Sequence, residues 1–173
     1  MNLDAILEHL ATLPARGERW QPAVEHVLVG GASLVVPPFR VHELLSTLCS
    51  DESIGLDVLF DLLVVDSVSL ESPAGVETAG YEVMIAYVLD SSREHHSVTV
   101  ATRLRTDPTA DGPVATALSV CDLFASAAWL EREAYEQHGV TFAGHPAMLR
   151  LHLGEETPGY PQAIRRDVAG SES

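Results

Sequence analysis

Tyr81–Arg105, Y-E-V-M-I-A-Y-V-L-D-S-S-R-E-H-H-S-V-T-V-A-T-R-L-R, carries the plainest fold signal in this chain. Tyr81, Val83, Ile85, Tyr87 and Leu89 alternate with a second, partly apolar set. After them, His96, Val98, Val100, Thr102 and Leu104 alternate with Ser97, Thr99, Ala101, Arg103 and Arg105. A period of two sends successive side chains to opposite faces of an extended strand. Joined by D-S-S-R-E-H, the two runs read as an antiparallel hairpin whose second strand has one wet face.

Upstream of the hairpin, Leu56–Leu70 is apolar apart from Asp57, Asp61, Asp66 and two serines. Periodicity alone does not separate a buried strand from a helical turn there; we expect a short turn and then a strand over Leu63–Leu70. Glu71–Gly80, E-S-P-A-G-V-E-T-A-G, has loop composition. Earlier still, Pro37 and Pro38 suit the first turn of a helix, and Val41, Leu44, Leu45 and Leu48 mark its buried face before it ends near Ser50–Ser53. Glu25–Val29 and Ser33–Val36 are β-rich runs around Gly30 and Gly31, predicting a tight strand return. At the N-terminus, Leu3, Ile6, Leu7 and Leu10 recur at helical spacing after Asn2, an expected N-cap, and Pro14 closes the pattern.

Downstream, Thr106–Gly112, T-D-P-T-A-D-G, breaks regular structure. Ser119 followed by Asp122 resembles a capping box, and nothing interrupts helical order until Gly139, so a helix is expected over about Val120–His138. Past it, glycines and prolines at 139, 144, 146, 154, 158, 159, 161 and 170 predict an irregular tail. The fold class is therefore α+β, a mostly antiparallel sheet packed with helices. Residues 1–138 form the domain and residues 139–173 an extended arm that needs another surface to hold it.

Composition removes several functions. Ten basic against 25 acidic residues leave a formal charge of -15, which repels nucleic acid and anionic lipid. No apolar run reaches the roughly 18 residues of a membrane span, and M-N-L-D-A-I lacks the order of a signal peptide, so a soluble cytoplasmic chain is expected. Two distant cysteines, Cys49 and Cys121, cannot ligate a standard iron–sulfur cluster and read as reduced, buried thiols. No P-loop, G-x-S-x-G or G-x-G-x-x-G occurs, which leaves an independent hydrolase without residues to carry it.

Trp129–Arg150, W-L-E-R-E-A-Y-E-Q-H-G-V-T-F-A-G-H-P-A-M-L-R, is not explained by folding rules alone. Glu131, Arg132, Glu133, Glu136, Gly139, Val140, Phe142, Gly144, His145, Pro146 and Arg150, with Trp129 two residues ahead of E-R-E, closely resemble the signature of the 30-kilodalton subunit family of respiratory complex I. F-D-L-L-V-V-D at Phe60–Asp66 resembles the family's upstream motif more weakly, and the likeness spans Val35–Asp167. One departure stands out: where the family continues G-H-P-L-R-K-D, this chain has G-Y-P-Q-A-I-R-R-D, with Tyr160 in place of His and one extra residue before Arg165, Arg166 and Asp167.

The resemblance implies a non-catalytic subunit in the hydrophilic arm of an NADH:quinone oxidoreductase, packed against the large hydrogenase-like subunit at the quinone site. Catalytic and cofactor-binding residues are then expected to be none in this chain; iron–sulfur clusters, flavin or a nickel–iron centre belong to partner subunits. It also implies a peripheral location on the cytoplasmic face of the membrane, held there through the complex. An equivalent subunit of a membrane-bound energy-converting hydrogenase or formate hydrogenlyase shares the signature. A stand-alone binding or regulatory module is the reading from another class. Trp129, Glu131, Arg132, Glu133, Glu136, Gly139, Phe142, Gly144, His145, Pro146, Arg150, Arg165, Arg166 and Asp167 are accordingly read as interface residues.

Local chemistry agrees with a docking edge. Glu131 and Glu133, at i and i+2, diverge on a helix and do not form a carboxylate pair. His138, His145 and His152 recur every seven residues, but Gly139, Gly144 and Pro146 break any common helix, so no metal is expected on them. His95 and His96 are adjacent and would face opposite sides of a strand, so joint ligation is not expected, and both are read as loop or edge residues. His145 is read as hydrogen-bonded within its turn or across an interface.

Overall fold

A computed structural model describes residues 3–12, 22–28, 31–67, 81–106 and 115–151. Its elements are α1 (Leu3–Thr12), β1 (Ala23–Leu28), β2 (Gly31–Val35), a 3-10 turn (Pro38–Arg40), α2 (Val41–Ser50), β3 (Val58–Ser67), β4 (Tyr81–Asp90), β5 (Ser97–Thr106), β6 (Ala115–Leu118), α3 (Ala127–His138) and β7 (Val140–Ala143). The expected hairpin is the centre of the sheet. β4 and β5 pair in register from Tyr81 opposite Thr106 to Asp90 opposite Ser97. The sheet order is β1-β2-β5-β4-β3, antiparallel except where β2 runs parallel to β5. A mostly antiparallel α+β fold is therefore what these residues form.

The inward face carries Leu34, Ile85, Tyr87, Leu89 and Val100, all with no exposed surface. Each large apolar side chain buried this way contributes about 1.5–3 kcal/mol relative to exposure. α2 packs with Val41, Leu44, Leu45 and Leu48 buried, the four positions its spacing predicts. Thr102, polar on the inward face of β5, is satisfied by donating to the Val36 carbonyl at 2.8 Å. On the wet face Arg103 pairs with Glu25 of β1.

Three expectations are corrected. β3 begins at Val58 rather than Leu63, because its ladder follows the full length of β4 and a bulge between Leu59 and Asp61 hides the alternation. Leu59 and Leu62 are both buried, one on each side of it, and Phe60, 70% exposed, is the extra residue.

α3 begins at Ala127 rather than Val120. Residues 119–126 form turns in which Leu123 and Phe124 N–H groups both donate to the Val120 carbonyl, and no Ser119–Asp122 capping box forms. Asp122 instead accepts from His42 Nε2 of α2 at 2.9 Å.

Third, the segment read as an irregular arm opens with a strand. β7 pairs in parallel with β6, an element the sequence did not announce, and Val140 and Phe142 join the core. Parallel partners 25 residues apart leave no local pattern to read. Asn2, the Glu71–Gly80 loop, most of the Thr106–Gly112 break and the tail from His152 onward lie outside the described residues.

Candidate functional site

The site is built on α3 and the turn that follows β7. Gly139 closes α3 with φ +69°, a left-handed conformation natural to glycine, and its N–H donates to the Tyr135 carbonyl at 3.0 Å. This cap turns the chain directly into β7. Gly144, at φ +91°, then reverses it, and the His145 N–H closes that turn onto the Phe142 carbonyl at 3.2 Å.

Glu131 lies on the inner side of α3 with no exposed surface. Its Oε1 accepts the Val120 N–H at 2.7 Å, and its Oε2 accepts the Ser119 hydroxyl at 2.7 Å and the Cys121 thiol at 3.6 Å. Glu131 thus pins the turn after β6 to the helix. Burial pushes its carboxyl above the usual range. The Val120, Ser119 and Cys121 donors and the nearby His145 pull the other way. No arginine or lysine ion pair to it occurs among the described residues. Tyr87, wholly buried on β4, has a hydroxyl with no partner, and its pKa is raised by burial first and by the Glu131 charge second.

The outer side of α3 does something different. Ala128, Arg132 and Glu136, four residues apart, lie along one helical stripe. The Ala128 carbonyl receives His145 Nε2 at 3.1 Å. Arg132 donates from Nε to the Leu149 carbonyl and from a terminal nitrogen to the Arg150 carbonyl, each at 2.8 Å. Glu136 accepts the Leu151 N–H. Residues 145–151 are therefore strapped along the helix, in its own direction, almost wholly through backbone atoms. The Ala147 N–H donates to His145 Nδ1 at 3.0 Å, so His145 carries its proton on Nε2.

Within this strap Pro146 and Leu149 are exposed; Trp129, one turn ahead of Arg132, is 54% exposed. Glu133 lies beside the stripe and accepts from Gln137 at 2.9 Å. Phe142 is a core residue. The signature residues divide accordingly: Glu131, Gly139, Phe142 and Gly144 build the framework, Arg132, Glu136 and His145 clamp the strap, and Trp129 and Pro146 face outward. Arg165, Arg166 and Asp167 lie outside the described residues.

Sequence reading missed the partners of Glu131. Ser119 drew attention as a cap and Cys121 only as a thiol, and no periodicity links either to a residue ten or more positions later. A Ser–His–Asp cluster elsewhere is not a nucleophilic triad. Ser53 Oγ and Asp51 both contact His9 Nε2, at 3.2 and 2.7 Å, whereas a triad needs the two on opposite ring nitrogens.

The chain matches the family described as respiratory-chain NADH dehydrogenase, 30 Kd subunit, over residues 34–172. An NADH-quinone oxidoreductase subunit from Coxiella burnetii (strain RSA 331 / Henzerling II) is 27% identical, covering 92% of this chain and 78% of the relative. The subunits of the same description from Xanthobacter autotrophicus and Salinispora tropica are 29% and 28% identical over 80% and 86% of this chain. It spans only 57% and 54% of their lengths. Among solved structures, a chain of the membrane-bound sulfane sulfur reductase, an archaeal respiratory membrane complex, superposes with a TM-score of 0.57 over 96% of this chain and 86% of its own. At 16% identity that likeness is one of fold.

Proposed function

Because the chain belongs to the 30-kilodalton subunit family of respiratory-chain NADH dehydrogenase, we propose that it is a non-catalytic structural subunit in the hydrophilic arm of an NADH:quinone oxidoreductase. In this reading it packs against the large quinone-site subunit, and small cluster-bearing subunits complete its surroundings. Flavin and iron–sulfur centres belong to those partners. The chain meets the membrane only through the complex, at its cytoplasmic face; no helix among the described residues is long and apolar enough to cross a bilayer.

The observation that carries the reading is the backbone clamp on α3. Arg132, Glu136 and His145 use their polar atoms on the strap's main chain or the helix carbonyl. The clamp leaves outward the large apolar side chains of Leu149 and Trp129, 53% and 54% exposed. A rigid support presenting apolar anchors is the form of a docking edge, since anchors already ordered before contact lose less entropy on binding.

Purification of the native assembly in mild detergent tests it. Co-elution with a large cluster-bearing subunit and membrane subunits is expected, and a nickel-binding partner in place of an NADH module would shift the reading to the energy-converting hydrogenase class. Elution of the chain alone, stable and without partners, would refute a structural subunit and leave a free-standing binding module.

A further inference from the structure

Three separate segments bring a thiol, a carboxylate and an imidazole together. Cys121 comes from the turn after β6, Glu131 from α3 and His145 from the turn after β7, and their ligand atoms lie within 4.8 Å of one another. We propose that Cys121, Glu131 and His145 form a binding site for a divalent cation of the zinc class, which locks the β6 turn and the strap onto α3. The role is structural and involves no redox step, so it is separate from the assembly reading above.

The chemistry of the donor set selects the metal. A thiolate excludes magnesium and calcium, which take oxygen ligands, and sulfur, nitrogen and carboxylate oxygen together suit zinc. The carboxylate of Glu131 is wholly buried, and His145 is the one group near it that can bring positive charge among the described residues. A divalent cation would balance that buried charge. Three protein ligands leave a fourth tetrahedral position for water.

Binding requires small, balanced changes. The Cys121 S–H proton leaves to solvent as the metal–sulfur bond forms; Cys121 is partly exposed, which provides the route. His145 turns Nε2 to the metal and carries its proton on Nδ1. The Ala128 carbonyl keeps the helical bond from the N–H four residues on. The exposed Ala147 N–H is released to water.

The test uses the full chain stripped with chelator and titrated with Co2+ as a spectroscopic probe, then with Zn2+. A thiolate-to-cobalt charge-transfer band saturating at one ion per chain is expected. It should disappear in Cys121→Ser, persist in Cys49→Ser and weaken at least tenfold in apparent affinity in His145→Ala. X-ray absorption of the zinc-loaded wild-type chain, which needs no variant to fold, should find one sulfur at about 2.3 Å and lighter ligands at about 2.0–2.1 Å. Absence of a saturable band, a band that depends on Cys49, unchanged affinity in His145→Ala or a shell without sulfur would each overturn the site.

Discussion

Glu131→Ala tests the core of the structural argument. The substitution deletes the acceptor of the Val120 N–H and of the Ser119 hydroxyl, two groups with 0% and 8% exposure on the turn after β6. Each buried group left unpaired costs about 1–3 kcal/mol. Relief of the desolvated carboxylate offsets part of this. A net loss of about 2–4 kcal/mol follows, or roughly 5–15 °C in Tm at about 2–4 °C per kcal/mol for a domain of this size.

Glu131→Gln is the matched control. Its amide oxygen still accepts from Val120 and its amide nitrogen can donate to Ser119 Oγ, so the loss should stay near 1 kcal/mol. The assay is chemical denaturation of both variants at neutral pH with chelator present, which removes any contribution from bound metal. If alanine and glutamine destabilise equally, or alanine costs less than about 0.5 kcal/mol, the carboxylate is not the pin we describe.

Three further outcomes are expected. Arg132→Ala frees the Leu149 and Arg150 carbonyls, which water can reach; the isolated chain should lose only about 1 kcal/mol, whereas recovery in the assembled complex falls at least tenfold. Equal losses in thermal melts and pull-downs would remove its interface role. Gly139→Ala forces a side chain into a left-handed conformation at φ +69° and should cost about 1–2 kcal/mol, with Gly139→Asn milder, as read by denaturant midpoints. Asp51 contributes to the acid limb. The Ser53 hydroxyl first, then the His9 contact and the Ser53 N–H, draw its pKa from 3.8 to about 2. Its folded value is depressed, so its contribution is present above 3.8 and is lost as pH falls toward 2. Ser53→Ala should flatten the stability profile in that window, and an unchanged slope would sink the assignment.

Legibility followed the range of the interactions. Val41, Leu44, Leu45 and Leu48 declared the buried face of α2, and Tyr81–Leu104 declared the central hairpin, because burial repeats with the local period of the backbone. Val58–Ser67 was misplaced since a bulge at Leu59–Asp61 broke that period. β6 was invisible: four residues, A-T-A-L, carry too little pattern, and β7, its parallel partner, lies beyond an intervening helix.

The chain's sequence by itself determined the family signature, the divergence of Glu131 from Glu133 and the stop of α3 at Gly139, all matters of residue type and spacing along one segment. Tertiary structure decided what the charges do. By spacing alone, E-R-E is three consecutive charged residues on one helix. In the fold, Glu131 is sealed beneath Ser119 and Val120, while Arg132 reaches over to the Leu149 and Arg150 carbonyls. Adjacent residues on a helix point about 100° apart, and only the packing of α3 between the β6 turn and the strap determines which of them meets the interior and which holds the strap.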